Sequence, residues 1–240
     1  MKGLVWLRND IRMDDNPSLK RAFEECDSVI TIYAWSPEQL KRHNEANIKQ
    51  DFLIQNLKSL AVNLHAVNAP LLIIESKSFN NVKNEITELI QEYSIDKIYW
   101  NKEFGLDEIN RDKGVHDCIK ADGVEIEIFN DQIIYEPGFL RTGQDNPFSV
   151  FTPFKRRWIE NFDMKFLDID FDYPIKDKLN FDSNVENFDF GLSATHGVDM
   201  SLWPVGEISA LDRVKDFLDN KAIDYSKNRN DPMLDGTSRI

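Results

Sequence analysis

The chain has 240 residues, of which 41% are hydrophobic and 30% charged, a composition typical of globular proteins with a substantial core and not of disordered ones. Its 42 acidic residues outnumber 29 lysines and arginines, and the formal net charge is −13. This balance argues against tight binding of nucleic acid or an anionic membrane by this chain, because both need clustered cations. Cys26 and Cys118 form no CxxC motif and lie near no histidine pair, so we expect neither a disulfide nor a zinc site. With no signal peptide and no membrane-spanning run, the sequence predicts a cytoplasmic protein.

The first half of the chain alternates short apolar runs with amphipathic stretches. Five short runs, most of which lack polar alternation, are typical of parallel strands covered on both faces: residues 3–7, 28–35, 71–74, 97–100 and 124–129. Apolar residues at helical spacing predict helices over 53–64 and 82–93, and weaker patterns predict helices over 18–25 and 107–120. Strand and helix in repeated alternation predict an α/β fold: a Rossmann-like, doubly wound, five-stranded parallel sheet.

The pattern changes after residue 131. Residues 135–153 are typical of a long loop, a short helix is predicted over 153–162, and the Asp-, Asn- and Phe-rich stretch 163–200 is predicted to be a linker wrapped over a surface. Helical spacing returns at residues 208–218. We therefore expect three parts: an α/β domain at 1–131, a loop, helix and linker at 132–202, and the truncated start of an all-α domain at 203–240.

Ligands of open parallel sheets sit beyond the carboxyl ends of the strands, which here are residues 8–10, 35–44 and 101–103. Neither a GxGxxG nor a Walker A motif follows the first strand. The residues alone leave two readings open: a nucleotide-like or flat aromatic ligand, or no ligand. His43 fits a solvated loop as well as a binding site, and the tryptophans fit a hydrophobic core.

Five motifs in chain order resemble those of DNA photolyases and cryptochromes. The first is LVWLRNDIR at residues 4–12, followed by an Asp-Asn-Pro sequence at 15–17. An Asn, an Arg-Asp pair and an Asp follow within 101–131, and VFTPF with a tryptophan lies within 150–158. The last two are a WP…GE helix start within 203–217 and a Y…R…P…GTSR pattern within 225–239. Together these motifs cover nearly the whole chain.

The resemblance implies that an N-terminal α/β domain carries an antenna chromophore and that a helical C-terminal domain holds FAD and the DNA site. Tyr225, Thr237 and Ser238 match positions that hold the FAD diphosphate, with Arg239 beside them. Hydroxyl and backbone N–H donors at a helix start suit a diphosphate.

The antenna side of the resemblance involves three other residues. His43, Asn101 and Glu103 fall where folate-type members contact methenyltetrahydrofolate. Lys102 and Glu103 replace the pair more usual in the family, so methenyltetrahydrofolate, a deazaflavin and no antenna all remain open.

The activity that the resemblance implies is that of a deoxyribodipyrimidine photo-lyase. Such an enzyme splits cyclobutane pyrimidine dimers with an electron from reduced FAD and flips the lesion out of the duplex. UV-damaged DNA would bind through a C-terminal domain absent from this chain, so we expect this chain alone to be inactive and to bind nucleic acid weakly. Two alternatives stay open: a cryptochrome-type blue-light sensor, and a stand-alone nucleotide- or flavin-binding module.

Overall fold

The computed structural model describes residues 1–164, 171–192 and 203–237. Five parallel strands form one sheet in the order β3-β2-β1-β4-β5. The strands are β1 (Lys2–Leu7), β2 (Ser28–Trp35), β3 (Leu71–Glu75), β4 (Lys97–Asn101) and β5 (Glu125–Phe129). The helices are α1 (Pro17–Glu25), α2 (Pro37–Arg42), α3 (Asn47–Ala66), α4 (Val82–Tyr93), α5 (Leu106–Ala121), α6 (Phe151–Asn161), α7 (Glu207–Asn220) and α8 (Tyr225–Asn228). The five-stranded, doubly wound α/β fold predicted from the sequence is confirmed.

Both faces of the sheet are covered by apolar helix faces. On one face, side chains of α1 and α3 such as Phe23 and Leu57 pack against β1 and β2. On the other face, α4 and α5 contribute side chains such as Ile86 and Ile119. Burial on both faces explains why β1 to β4 lack a regular polar alternation. The edge strand β5 does alternate glutamate with isoleucine, and its residues are exposed or only partly buried.

One helix beside the sheet was not expected. The sequence predicts a loop after the second strand, but residues Pro37–Arg42 form α2. Pro37 occupies the first turn, Glu38 lies in that turn, and Lys41 and Arg42 lie in the last turn. These positions suit proline's fixed φ angle and the charges of the helix dipole. Six residues are too few to show an apolar period, which is why the sequence pattern missed this helix.

Residues 171–192 run along the α/β domain without forming a helix or strand. Asn184 pairs with the outer edge of β3: it accepts from the Ile73 amide at 2.7 Å and donates to the Ile73 carbonyl at 2.9 Å. Ser183 donates to the Leu71 carbonyl at 2.6 Å, and Val185 is buried. These contacts cover an otherwise unpaired sheet edge. They agree with a segment that wraps a surface, while the three-part division of the chain stays a prediction.

The start of α7 is fixed to the α/β domain by polar contacts. The Glu207 carboxylate accepts from the backbone amides of Met13 and Asp14 at 2.8 and 2.9 Å. The preceding residue, Gly206, has a φ of 93°, and its amide donates to the Asn56 side chain of α3 at 3.0 Å. A positive φ favours glycine here, because a Cβ atom would be strained.

Candidate functional site

A cavity of about 370 Å³ lies beyond the carboxyl ends of β1 and β2. Its lining combines aromatic side chains with charged ones and comes from β1, β2, α2, α3 and α5 and from their connections. The aromatic members are Trp6, Tyr33, Phe52 and Phe79. Polar and charged residues are as frequent in the lining as apolar ones, and cavities of this size that combine aromatic walls with polar groups are typical sites for small organic ligands.

A buried network of two arginines and two carboxylates lies at one wall, which Arg8, Glu103 and Arg111 line and which Asp112 supports from behind. Arg111 donates to Glu103 at 2.6 Å and to Asp112 at 2.7 Å, and Arg8 donates to Asp112 at 3.3 Å. The guanidinium carbons of both arginines lie 4.7 and 4.8 Å from the centre of the Trp6 ring. Burial lowers the pKa of Arg8 and raises that of Asp112, although Arg8 and Arg111 oppose the second shift. Both directions reflect the desolvation that accompanies a buried ion pair.

His43 lies at the rim of this cavity, directly after α2. Its Nε2 atom is 3.1 Å from a carboxylate oxygen of Asp107, which also accepts from the Gln39 amide at 3.0 Å. Hydrogen bonds from His43 and Gln39 lower the pKa of Asp107. The His43 ring meets Phe79 edge to face at 6.3 Å. The position of His43 is therefore fixed by α2 and α5, and it is not that of a free loop residue.

Asn101 occupies a different position, between the ends of β1 and β4. Its side-chain amide donates to Asp10 at 2.6 Å and to Asn16 at 2.9 Å, and its oxygen accepts from the Ser18 amide at 3.2 Å. We call these four buried residues, Asp10, Asn16, Ser18 and Asn101, the polar plug. Asn101 is absent from the lining of the large cavity, whereas Glu103, two residues on, is part of it.

The structure thus brings His43 and Glu103 to one cavity and places Asn101 beside it. Sequence reasoning gave no individual role to Ser36, Asp107 or Arg111, although Ser36 lies within the expected range 35–44 and Arg111 belongs to the Arg-Asp pair of the family resemblance. Ser36 and Arg111 line the cavity. A buried arginine after a strand is a signal of such a site, but its partners lie far away in the chain, since Arg8 and Asp112 are 104 positions apart. That His43, Asn101 and Glu103 hold an antenna stays a prediction.

The residues expected to hold FAD lie at the other end of the chain. Tyr225 starts α8, its ring 5.7 Å from that of Phe217, and the Arg229 guanidinium lies 6.0 Å from the Tyr225 ring. Thr237 follows Gly236, which packs against Asn228 so closely that a Cβ atom would lie 2.6 Å from the Asn228 Cβ. Ser238 and Arg239 lie outside the described residues. The FAD role of all four residues stays a prediction.

Among the residues that the structure describes, no cluster of three or more His, Cys, Asp or Glu side chains is arranged to hold a metal ion. None of the helices described is both long and apolar enough to cross a membrane.

The fold is that of a doubly wound α/β domain with a cavity at the carboxyl edge of its sheet. The family model for DNA photolyase matches residues 3–173. The chain belongs to the DNA photolyase family.

Individual relatives agree with this assignment. The chain is 27% identical over 242 residues to the deoxyribodipyrimidine photo-lyase of Vibrio cholerae, covering 99% of this chain and 50% of that protein. It is 25% identical to Cryptochrome-1 of Arabidopsis thaliana, covering 95% of this chain and 33% of that protein. The crystal structure of a class III photolyase from Agrobacterium tumefaciens superposes with a TM-score of 0.81 at 26% identity, covering 99% of this chain and 48% of that one. The chain spans about half the length of the photolyases that it matches.

Proposed function

We propose that this chain provides the antenna-binding α/β domain, and the first part of the FAD-binding region, of a light-driven enzyme that repairs cyclobutane pyrimidine dimers. The observation that carries the proposal is the cavity at the carboxyl edge of the sheet, in a chain of the DNA photolyase family. The chain's three-part organisation, with boundaries near residues 131 and 202, belongs to this proposal.

The walls of the cavity suit an antenna chromophore. Trp6, Tyr33 and Phe79 offer aromatic surface to a flat ring, and His43 and Glu103 supply polar groups at its edge. Arg111 lies 4.5 Å from the Phe79 ring, and it is held by Glu103 and Asp112. These residues would orient the chromophore and exclude water from it. Methenyltetrahydrofolate and a deazaflavin both fit this description.

Tyr225 and Thr237 would hold the diphosphate of FAD, together with Ser238 and Arg239. Tyr225 is 39% exposed and Thr237 is half-buried, so both reach the surface where a ligand could contact them. When bound in reduced form, FAD would supply the electron that splits the dimer. The residues of this chain would bind and orient the chromophore and FAD, and none of them is assigned a catalytic role.

The net charge of −13 agrees with a chain that does not itself grip DNA. Because the chain belongs to the DNA photolyase family, UV-damaged DNA is the proposed partner of the whole protein. The acidic chain described here would contribute the antenna and a corner of the flavin site.

Two measurements test the proposal. The purified chain is mixed with methenyltetrahydrofolate or a deazaflavin, and binding is followed by the absorbance and fluorescence of the chromophore. The protein encoded by the complete gene is assayed for light-dependent splitting of a thymine dimer in an oligonucleotide. We expect binding of one chromophore and repair only under light. Absence of repair by a protein that is loaded with FAD would favour the alternative, a cryptochrome-type light sensor, which the similarity to Cryptochrome-1 keeps in view.

A further inference from the structure

Glu207, the first residue of α7, is bound by a turn of the α/β domain at residues 12–15. One oxygen of its carboxylate accepts from the backbone amides of Met13 and Asp14 at 2.8 and 2.9 Å, across 194 and 193 positions of the chain. Glu207 is half-buried. Because hydrogen bonds to a charged group are stronger than those between neutral groups, these two bonds form a firm contact between distant parts of the chain.

The turn is held in place by contacts of its own. Arg12 donates from Nε to the Asp14 carbonyl at 3.1 Å and pairs with the Asp131 carboxylate at 2.6 Å. Tyr173 donates its hydroxyl to the Met13 carbonyl at 2.6 Å. Two successive backbone amides of such a turn form a concave site that suits an anionic oxygen. The turn is therefore a prepared donor site, and the carboxylate of α7 occupies it.

The rest of α7 contributes little to its attachment. None of the residues of α7 is buried, and Leu211 and Leu218 are 57% and 60% exposed. Apolar side chains stabilise a position in proportion to the area that they bury, so these two contribute little. The hydrogen bonds to the α/β domain lie at the start of the helix, where the Gly206 amide also donates to Asn56 at 3.0 Å. The position of the helix thus depends on Glu207 and its neighbour.

The helix carries the proposed FAD-binding residues with it. We call residues 207–237 the flavin unit, because contacts within this range hold it together. Lys221, directly after α7, pairs with Asp235 at 2.9 Å, and the Phe217 ring meets the Tyr225 ring edge to face at 5.7 Å. A movement of α7 would therefore move the proposed diphosphate-binding residues as well.

We propose that Glu207 is a positioning residue, which sets the place of the flavin unit on the α/β domain and thereby the distance and orientation between antenna and flavin. The inference rests on the proposed function, in which the two parts of the chain hold these two groups. An antenna acts by transferring excitation energy, and the efficiency of that transfer depends steeply on distance and orientation. Loss of the Glu207 contact should therefore impair repair driven by the antenna and spare repair driven by light that the flavin absorbs directly.

The first test measures the position of the flavin unit in the 240-residue chain. Nitroxide labels are attached at two exposed sites, Glu88→Cys on α4 and Lys215→Cys on α7, in a Cys118→Ser background in which Cys26 is buried. Pulsed electron paramagnetic resonance then gives the distribution of distances between the labels. Glu207→Ala removes the acceptor and should broaden this distribution, whereas Glu207→Gln keeps an accepting oxygen and should preserve it.

The expected size of the effect follows from the bonds that are lost. Loss of one hydrogen bond to a charged group changes an equilibrium constant by about tenfold or more. Glu207→Ala loses two such bonds, so the balance between the seated and displaced positions of the flavin unit should shift by at least that factor.

Asp216→Ala is the matched control. Asp216 is another carboxylate of α7, but its partners Asn220 and Lys221 lie at the end of the same helix. Its removal should leave the distribution of distances as narrow as in the parent chain. Equal broadening in Asp216→Ala and Glu207→Ala would reflect a general loosening of α7 and would overturn the inference.

The second test uses the protein encoded by the complete gene, loaded with antenna and FAD. Repair of a thymine dimer is measured under light absorbed by the antenna and under light absorbed directly by the flavin. The ratio of the two rates should fall in Glu207→Ala and recover in Glu207→Gln. A purely structural role would lower both rates together and leave the ratio unchanged.

The outcomes separate the inference from the proposed function. Unchanged label distances in Glu207→Ala, or an unchanged ratio of repair rates, overturn the inference and leave the proposed function intact. A distribution that is equally broad in Glu207→Gln also overturns it, because the amide retains the accepting oxygen. If the parent protein shows no repair under light absorbed by the antenna, the antenna function itself fails, and the inference falls with it.

Discussion

Replacing Asn101 with alanine should destabilise the protein strongly while leaving the walls of the large cavity in place. Asn101 is 2% exposed and makes three hydrogen bonds within the polar plug. The bond to the Asp10 carboxylate is charge-assisted and contributes about 1.5–3 kcal/mol, and each of the bonds to Asn16 and Ser18 contributes about 0.5–1.5 kcal/mol. Because the variant also leaves the Ser18 amide buried without a partner, we expect a loss of about 3–5 kcal/mol.

The loss is measured by guanidinium denaturation, followed by circular dichroism and by the fluorescence of the buried tryptophans. For a chain of this size it corresponds to a fall in melting temperature of roughly 10 °C. The slope of the denaturation curve should stay unchanged, because the area exposed on unfolding is the same. Asn161→Ala is the control: Asn161 is exposed on α6 and donates to the Arg157 carbonyl of its own helix, so its change should stay within about 0.5 kcal/mol.

The result that would refute this reasoning is specific. A loss below about 1 kcal/mol, together with weaker binding of methenyltetrahydrofolate, would mean that Asn101 serves the ligand and not the plug. That outcome would support the ligand role that the family resemblance implies for this residue.

Three further predictions concern the contacts of α7 and α2. Burial raises the pKa of Glu207 above its usual 4.5. The protonated carboxyl therefore stabilises the folded state fully below pH 4.5, and this stabilisation is lost as the pH rises through the pKa of the folded state. Denaturation between about pH 4 and pH 7 should therefore show wild type losing stability relative to Glu207→Gln, and equal slopes would contradict the shift. His43→Ala should raise the pKa of Asp107, because it removes the hydrogen bond that lowers this pKa most. An NMR titration of the Asp107 carboxyl measures the change, and an unchanged pKa would show that the two side chains are not in contact in solution. Gly206→Ala should cost at least about 1 kcal/mol, because φ is 93° and the Cβ would lie 2.8 Å from a side-chain oxygen of α3. Denaturation measures this loss, and Gly143→Ala, which has open space around it, is its control.

The strands were predictable because a parallel sheet that is buried on both faces leaves a strong local pattern. All five strands lie where the short runs predict them, with bounds that are identical for β2 and differ by one residue for the other four. The longer helices were predictable for the same reason, although α3 begins at Asn47, six residues before its apolar period is visible. Local patterns thus identify elements whose burial is regular.

The site was less accessible to sequence reasoning, because its contacts join distant parts of the chain. Residues 8–10 and 101–103 were correctly expected at one edge of the sheet, but nothing local distinguishes the role of Asn101 from that of Glu103. The structure distinguishes the two residues by their hydrogen-bond partners: Asn101 bonds Asp10 and Asn16, whereas Glu103 bonds Arg111. The unused hydroxyl of Ser36 is also invisible in the sequence, because only the folded structure shows which partners lie within its reach.

The polar plug has a consequence for how quickly a ligand can enter and leave. In open α/β sheets the crevice where the strand order reverses is the usual entrance, and here that crevice lies between β1 and β4. The plug fills it with side chains that bond one another, and the space that remains there is only about 10 Å³. A chromophore would instead pass the connection between α2 and α3, which turns at Asn44 with a φ of 53° and borders the cavity at His43 and Glu45. The residence time of the chromophore would then depend on this short connection. Substitutions in the connection would change that residence time without any change in the sheet.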